Sequence, residues 1–130
     1  MLIQIPDMLS RETALALRAQ ILDAEWVDGN ATSGPGSAMK KFNRQLPEES
    51  PAAQVAQQVV AQALGSNELF LSAALPHTIF PPLFNRYGPG ETFGTHVDNA
   101  VRIHGASGTR IRTDLSATLF LTDPEEYDGG

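Results

Sequence analysis

The feature that most constrains this chain is a change in its hydrophobic patterning near Asn67. Before that point apolar residues recur at helical spacing, and after it short alternating runs are separated by turn residues. Leu15, Leu17, Ile21, Leu22 and Trp26 form one helical stripe. Ser10 suits its N-cap, Glu12 its first turn, and Asp28-Gly29-Asn30 its close. Ser50-Pro51 opens a second helix, with Val55, Val59, Val60, Ala63 and Leu64 as its apolar side and Gly65 as its stop. Strands are expected at 2–5, 68–72, 83–87, 92–96 and 111–121. Helices followed by strands is the order of an α+β domain whose helices support one side of a β-sandwich or barrel.

Residues 31–38 are a loop by composition, and 39–46 gathers Lys40, Lys41 and Arg44 with the amides Asn43 and Gln45. That run reads either as a solvated strand, the commoner fate of charge clusters, or as the mouth of a pocket. Net charge is −6 with no basic tract, which disfavours nucleic acid and anionic membranes as partners. With no cysteine, disulfides and thiolate metal sites are excluded, a composition compatible with the cytoplasm. No apolar run approaches the ~18 residues of a bilayer span. The first residues lack the basic stretch and apolar core of a signal peptide. The last ones, Asp123-Pro124-Glu125-Glu126-Tyr127-Asp128-Gly129-Gly130, are turn chemistry that should lead into another strand. The sequence is therefore expected to be the N-terminal part of a longer protein, with an open sheet edge prone to oligomerisation.

The chemistry concentrates in residues 84–98, which read as two short strands joined by Gly88-Pro89-Gly90, with His96-Val97-Asp98 at the far end. On a strand, residues two apart face the same way, ~6–7 Å from one another. His96 and Asp98 are thus candidates for two ligands of a 2-His-1-carboxylate facial triad, which holds Fe(II) and leaves positions open. The spacing alone is a weak signal, and a surface histidine beside a turn-forming aspartate is the plain alternative. The glycine-bearing stretch 100–108 is expected as a long mobile loop beside the pair, a setting in which sites gather.

Tyr87-Gly88-Pro89-Gly90 with Phe93, His96-Val97-Asp98-Asn99, Arg112 to Leu121, and Tyr127-Asp128-Gly129-Gly130 form a specific combination. Together they resemble the Fe(II)/2-oxoglutarate-dependent dioxygenases of the prolyl-hydroxylase type, and within them the bacterial PKHD-type hydroxylases. Leu2 to Asp7 with Leu9-Ser10, and Asn43-Arg44-Gln45-Leu46, fit the same subgroup. The resemblance implies N-terminal helices (1–67) packed on a double-stranded β-helix, or jelly-roll, core, of which 68–130 would be the first part, truncated at its C-terminal side. It implies His96 and Asp98 as iron ligands, and Tyr87, Ser116 and Thr118 in the 2-oxoglutarate pocket. Fe(II), 2-oxoglutarate, O2 and L-ascorbate would be the partners. The activity would be hydroxylation of an unactivated C–H on a prolyl- or lysyl-like side chain or a small molecule, as 2-oxoglutarate is decarboxylated to succinate.

The pattern breaks where the family has a distal histidine and, beyond it, an arginine or lysine for 2-oxoglutarate. After Asp98 the only histidine is His104, inside the loop, and His77 is the other remaining one. Arg102, Arg110 and Arg112 precede the place of the co-substrate arginine, and Arg86 reads as an outward strand residue. The chain as written is therefore expected to bind iron weakly and to have little hydroxylase activity. Two other classes remain open: a cupin-like metal-binding module without oxygenase chemistry, and a non-catalytic interaction domain using the helices and acidic surface.

Overall fold

The computed structural model describes residues 1–32 and 41–128. Most of the expected loop at 31–38 lies outside the described residues, as do Met39, Lys40 and Gly129-Gly130.

Helix α1 spans Arg11–Leu22, and Ser10 Oγ accepts from the Thr13 amide at 3.1 Å. This satisfies one of the amides that a helix start leaves without an intrahelical partner. Leu17 and Ile21, one turn apart, are buried, whereas Leu15 and Leu22 face outward, so the buried stripe is narrower than the spacing suggests. Helix α2 spans Pro51–Ser66, is capped by Ser50, and runs through Gly65 to end at Asn67. Its buried residues are Ala53, Ala56 and Val60, while Val55 is exposed. Small side chains there let α1 and α2 pack closely against each other.

Two expected strands are corrected. Residues 2–5 form no strand: the segment is mostly exposed, pairs with no strand among the described residues, and ends at Pro6 with Asp7 at a φ of 53°. Residues 68–72 lie in a third helix, α3, Glu68–Ala74. Asn67 Oδ1 accepts from the Phe70 amide at 2.8 Å, and Glu68 sits in the first turn. Capping, together with the helix formers Glu68, Leu69, Leu71 and Ala73, outweighs the β preference of Phe70.

The described strands are β1 (Val27–Asp28), β2 (Lys41–Phe42), β3 (Arg44–Gln45), β4 (Asn85–Arg86), β5 (Thr92–Phe93), β6 (Val101–Ile103) and β7 (Arg110–Arg112). All pair antiparallel, as β1-β3-β4, β2-β5 and β6-β7, giving a mixed α+β chain. The run 41–46 organises the first two sheets. Lys41 and Phe42 lie opposite Phe93 and Thr92, Arg44 and Gln45 opposite Arg86 and Asn85, and the Leu46 amide donates to Phe84 O at 3.0 Å.

The expected hairpin across Gly88-Pro89-Gly90 is thereby corrected. Strands β4 and β5 do not pair with each other; both lie along 41–46. Residues 87–91 are looped out opposite the single Asn43. The excursion is closed by Glu91 N donating to Gly88 O at 3.0 Å and Gly88 N to Glu91 Oε2 at 2.7 Å. Gly90 supplies a φ of 75°, which a side chain would disfavour. A turn this compact can leave a strand and return to it.

Stretch 100–108 is likewise not a long loop. It belongs to the β6-β7 hairpin, whose turn is closed by His104 N donating to Thr109 O at 2.9 Å and Gly108 N to His104 O at 2.8 Å. Val101, Ile103 and Ile111 supply β-prone residues on its two sides. Of 111–121, only Ile111 and Arg112 lie in a strand; the remainder finds no partner ladder among the described residues, and a strand exists only through pairing.

The core is Leu17, Ile21, Ala53, Ala56 and Val60 from the helices against Leu46 and Phe84 from the paired strands, with Leu119 and Leu121 packed on it. Beyond these, Arg11 grips Asp123 through two 2.7 Å hydrogen bonds and Arg18 meets Glu126 at 3.0 Å, fastening the last described residues to α1. Among the described residues no helix is long and apolar enough to cross a membrane.

Candidate metal site

Strand β5 ends at Phe93, and the backbone then turns through Gly94 and Thr95 without regular structure. His96 folds back on Phe93, the rings stacking with centroids 3.6 Å apart and planes within 10°. Its Nδ1 lies 2.8 Å from Gly94 O. A carbonyl only accepts, so Nδ1 carries the proton and Nε2 is the nitrogen left to take a ligand. That Nε2 stands 3.3 Å from Asp98 Oδ1, with the imidazole mostly covered and the carboxylate mostly open.

Two lone-pair-bearing atoms this close can share either a proton or a bridging cation. Adjacent ligands ~2.1 Å from one ion at right angles would lie about 3 Å apart. An imidazole nitrogen and a carboxylate oxygen are also a donor set suited to Fe(II). The pair therefore fits a divalent transition metal, and the backbone carbonyl on Nδ1 is the kind of outer support that orients metal-binding histidines. The expected strand geometry, with the two on one face ~6–7 Å apart, is corrected: the strand ends at Phe93, and a folded-back turn brings Nε2 and Oδ1 to 3.3 Å.

The other candidates do not join the pair. Among the described residues no group of three or more His, Cys, Asp or Glu side chains is placed to hold one ion. His104 Nδ1 lies 2.8 Å from Ser107 Oγ inside the β6-β7 turn, and His77 is exposed beyond α3. Tyr87 lies half-exposed at the start of the looped-out segment. Ser116 and Thr118 are exposed, Arg86 faces outward on β4, and Arg112 is paired with Asp114 at 2.8 Å.

What the sequence reading missed is the inverted alternation of 41–45. Lys41, Asn43 and Gln45 are buried at 8%, 6% and 1% exposure, while Phe42 between them is 60% exposed. The solvated-strand reading is corrected for these three. The signal was present, since residues at alternate positions share a face, but nothing in it told which face turns inward. The run is held by hydrogen bonds within itself and to neighbouring segments. Lys41 Nζ donates to Gln45 Oε1 at 3.3 Å, Asn43 Nδ2 to Asn85 Oδ1 at 3.4 Å, and Asn30 Nδ2 to Lys41 O at 3.1 Å. Lys41 Nζ also lies 5.6 Å from the centre of the Phe93 ring, the ring that carries His96. Burial, and then the charge of Arg102, hold the Lys41 ammonium below its usual range, against a smaller opposing pull from Asp28.

No family model matches the chain. Among curated proteins, it is 58% identical over all 130 residues to a PKHD-type hydroxylase of Rhizorhabdus wittichii, and 58% identical to one of Phenylobacterium zucineum. A PKHD-type hydroxylase of Methylobacillus flagellatus is 56% identical over the same residues. In each case the chain covers 57% of the relative's length. Over its whole length the chain is thus similar to proteins named PKHD-type hydroxylases, and it spans a little over half of theirs.

Proposed function

We propose that the protein to which this chain belongs is an Fe(II)- and 2-oxoglutarate-dependent hydroxylase, with His96 and Asp98 as two of its iron ligands. The observation that carries this is the approach of His96 Nε2 to Asp98 Oδ1 at 3.3 Å, with Nδ1 held by Gly94 O. Bound iron would supply the oxidation of an unactivated C–H, coupled to decarboxylation of 2-oxoglutarate, with ascorbate keeping the metal reduced. The chain's own residues have simpler duties. Gly94 O fixes the imidazole tautomer, Phe93 fixes its plane, and Asp98 contributes the negative charge that offsets the metal's. On this reading 68–130 is the first part of a jelly-roll core supported by the helices of 1–67, with Tyr87, Ser116 and Thr118 toward the 2-oxoglutarate pocket.

The 130-residue chain is expected to bind Fe(II) weakly and to turn over little 2-oxoglutarate. Titration with Fe(II), with and without 2-oxoglutarate, tests the reading. A visible charge-transfer band that needs both supports the dioxygenase class, and metal binding without any response to 2-oxoglutarate favours the cupin-like alternative. Metal binding unchanged by His96→Ala would remove the site altogether. Conversion of 2-oxoglutarate to succinate by this chain, at a rate typical of an intact dioxygenase, would overturn the expected inactivity.

A further inference from the structure

Phe93 and His96 are stacked in a way that two aromatic rings do not choose by themselves. Centroids 3.6 Å apart with planes within 10° put one ring squarely over the other. The π-faces of two rings repel in that register, and unconstrained pairs slide to an offset or turn edge-on. On the imidazole side, the contact of Nδ1 with Gly94 O opposes such a slide. On the other side stands Lys41, the cross-strand partner of Phe93 in the β2-β5 pair, with Nζ 5.6 Å from the centre of the ring.

Lys41 is 8% exposed and takes part in none of the ion pairs among the described residues. Asp28 attracts the ammonium without pairing with it, and Arg102 repels it. The partners in reach are neutral: Gln45 Oε1 at 3.3 Å and the Phe93 ring. A buried cation without a counter-charge draws strongly on an aromatic face, because no water competes for it. With His96 covering one face of Phe93 at van der Waals distance, the ammonium has the other. A cation that draws π density toward itself leaves the far face less negative, and so less repulsive to a second ring.

We propose that Lys41 is a positioning residue for His96, acting through Phe93 to hold the imidazole in the stack that aims Nε2 at Asp98. What that aim is worth rests on the metal reading above; the stack itself needs no metal.

Proton NMR of the 130-residue chain with EDTA present reads the stack directly. The His96 ring protons should be displaced upfield by Phe93, and Lys41 Hε should show Overhauser contacts to the Phe93 ring. Lys41→Met keeps the length and apolar stem without the charge, and should lose most of the His96 displacement. Lys41→Arg keeps a cation and should retain it. A side chain that only fills space would be replaced by methionine without effect. Mn(II) affinity, read by electron paramagnetic resonance, adds a test of sign. Removing a positive charge should by itself tighten the binding of a cation, whereas loss of aim in Lys41→Met should weaken it by about 10-fold. Circular dichroism reports whether each variant keeps its fold. Unchanged His96 shifts, or Mn(II) bound as tightly or more tightly, in folded Lys41→Met would overturn the proposal. So would the absence of Lys41–Phe93 contacts in the unaltered chain, a measurement that stands even where Lys41→Met does not fold. A stack lost in Lys41→Met, in a protein that binds no Mn(II) in any form, would instead remove the metal reading and leave Lys41 its hold on His96.

Discussion

Phe93 and His96 lie face to face, 3.6 Å between ring centroids, and this stack aims Nε2 at Asp98. It holds an otherwise irregular turn in one arrangement, as supporting groups do around metal-binding histidines. Phe93→Leu should keep the apolar packing but lose the flat platform. Mn(II) affinity, read by electron paramagnetic resonance, is expected to fall by about 10-fold, within the range seen when outer supports are removed. His96→Ala should lose binding entirely. Equal affinity in Phe93→Leu and the unaltered chain would show that the stack does not position the ligand.

Gly29 leaves room on the backbone for the side chain of Asn43. A Cβ at this position would lie 1.8 Å from Asn43 Oδ1 and 3.1 Å from Asn43 O. The Gly29 amide also donates to that carbonyl at 2.9 Å, so the strands cannot simply move apart. Gly29→Ala is expected to destabilise the fold by about 1–3 kcal/mol, the usual cost of overpacking, measured by urea denaturation.

Leu46 joins the strand run to the helical core at 1% exposure. Its truncation leaves a gap between α1, α2 and Phe84 that close-packed neighbours fill only in part. Leu46→Ala should cost about 2–5 kcal/mol. Val55→Ala, on the exposed side of α2, should change the urea midpoint little by comparison.

Arg11 and Asp123 are 112 positions apart and joined by two hydrogen bonds. The guanidinium holds the Asp123 carboxyl below its ordinary value, through those bonds first and its charge second. A carboxyl depressed on folding stabilises the folded chain above its unfolded pKa, and that contribution is lost as pH falls through the folded value. Asp123→Asn should therefore lower the urea midpoint at pH 7, and the gap from the unaltered chain should close as both are taken to about pH 2. Both residues are solvent-exposed, so the pH 7 gap should also shrink with added salt. A gap independent of pH would show that Arg11 does not hold the Asp123 carboxyl below its ordinary value.

The sequence by itself determined the two long helices, through Ser10 and Ser50 as caps and the spacing of Leu17 with Ile21. It also singled out His96 and Asp98 as candidates by their spacing, but the folded-back turn that brings them to 3.3 Å was not legible in that spacing. Local pattern could not decide partners. Whether β4 pairs with β5 or with 41–46 depends on which ladder satisfies more backbone groups, and that is settled by residues some forty positions away. The same holds for the face of Lys41, Asn43 and Gln45 that turns inward. An alternating strand offers two faces, and only the tertiary structure, with Asn85 and Asn30 bonding to one of them, chose the polar one for burial.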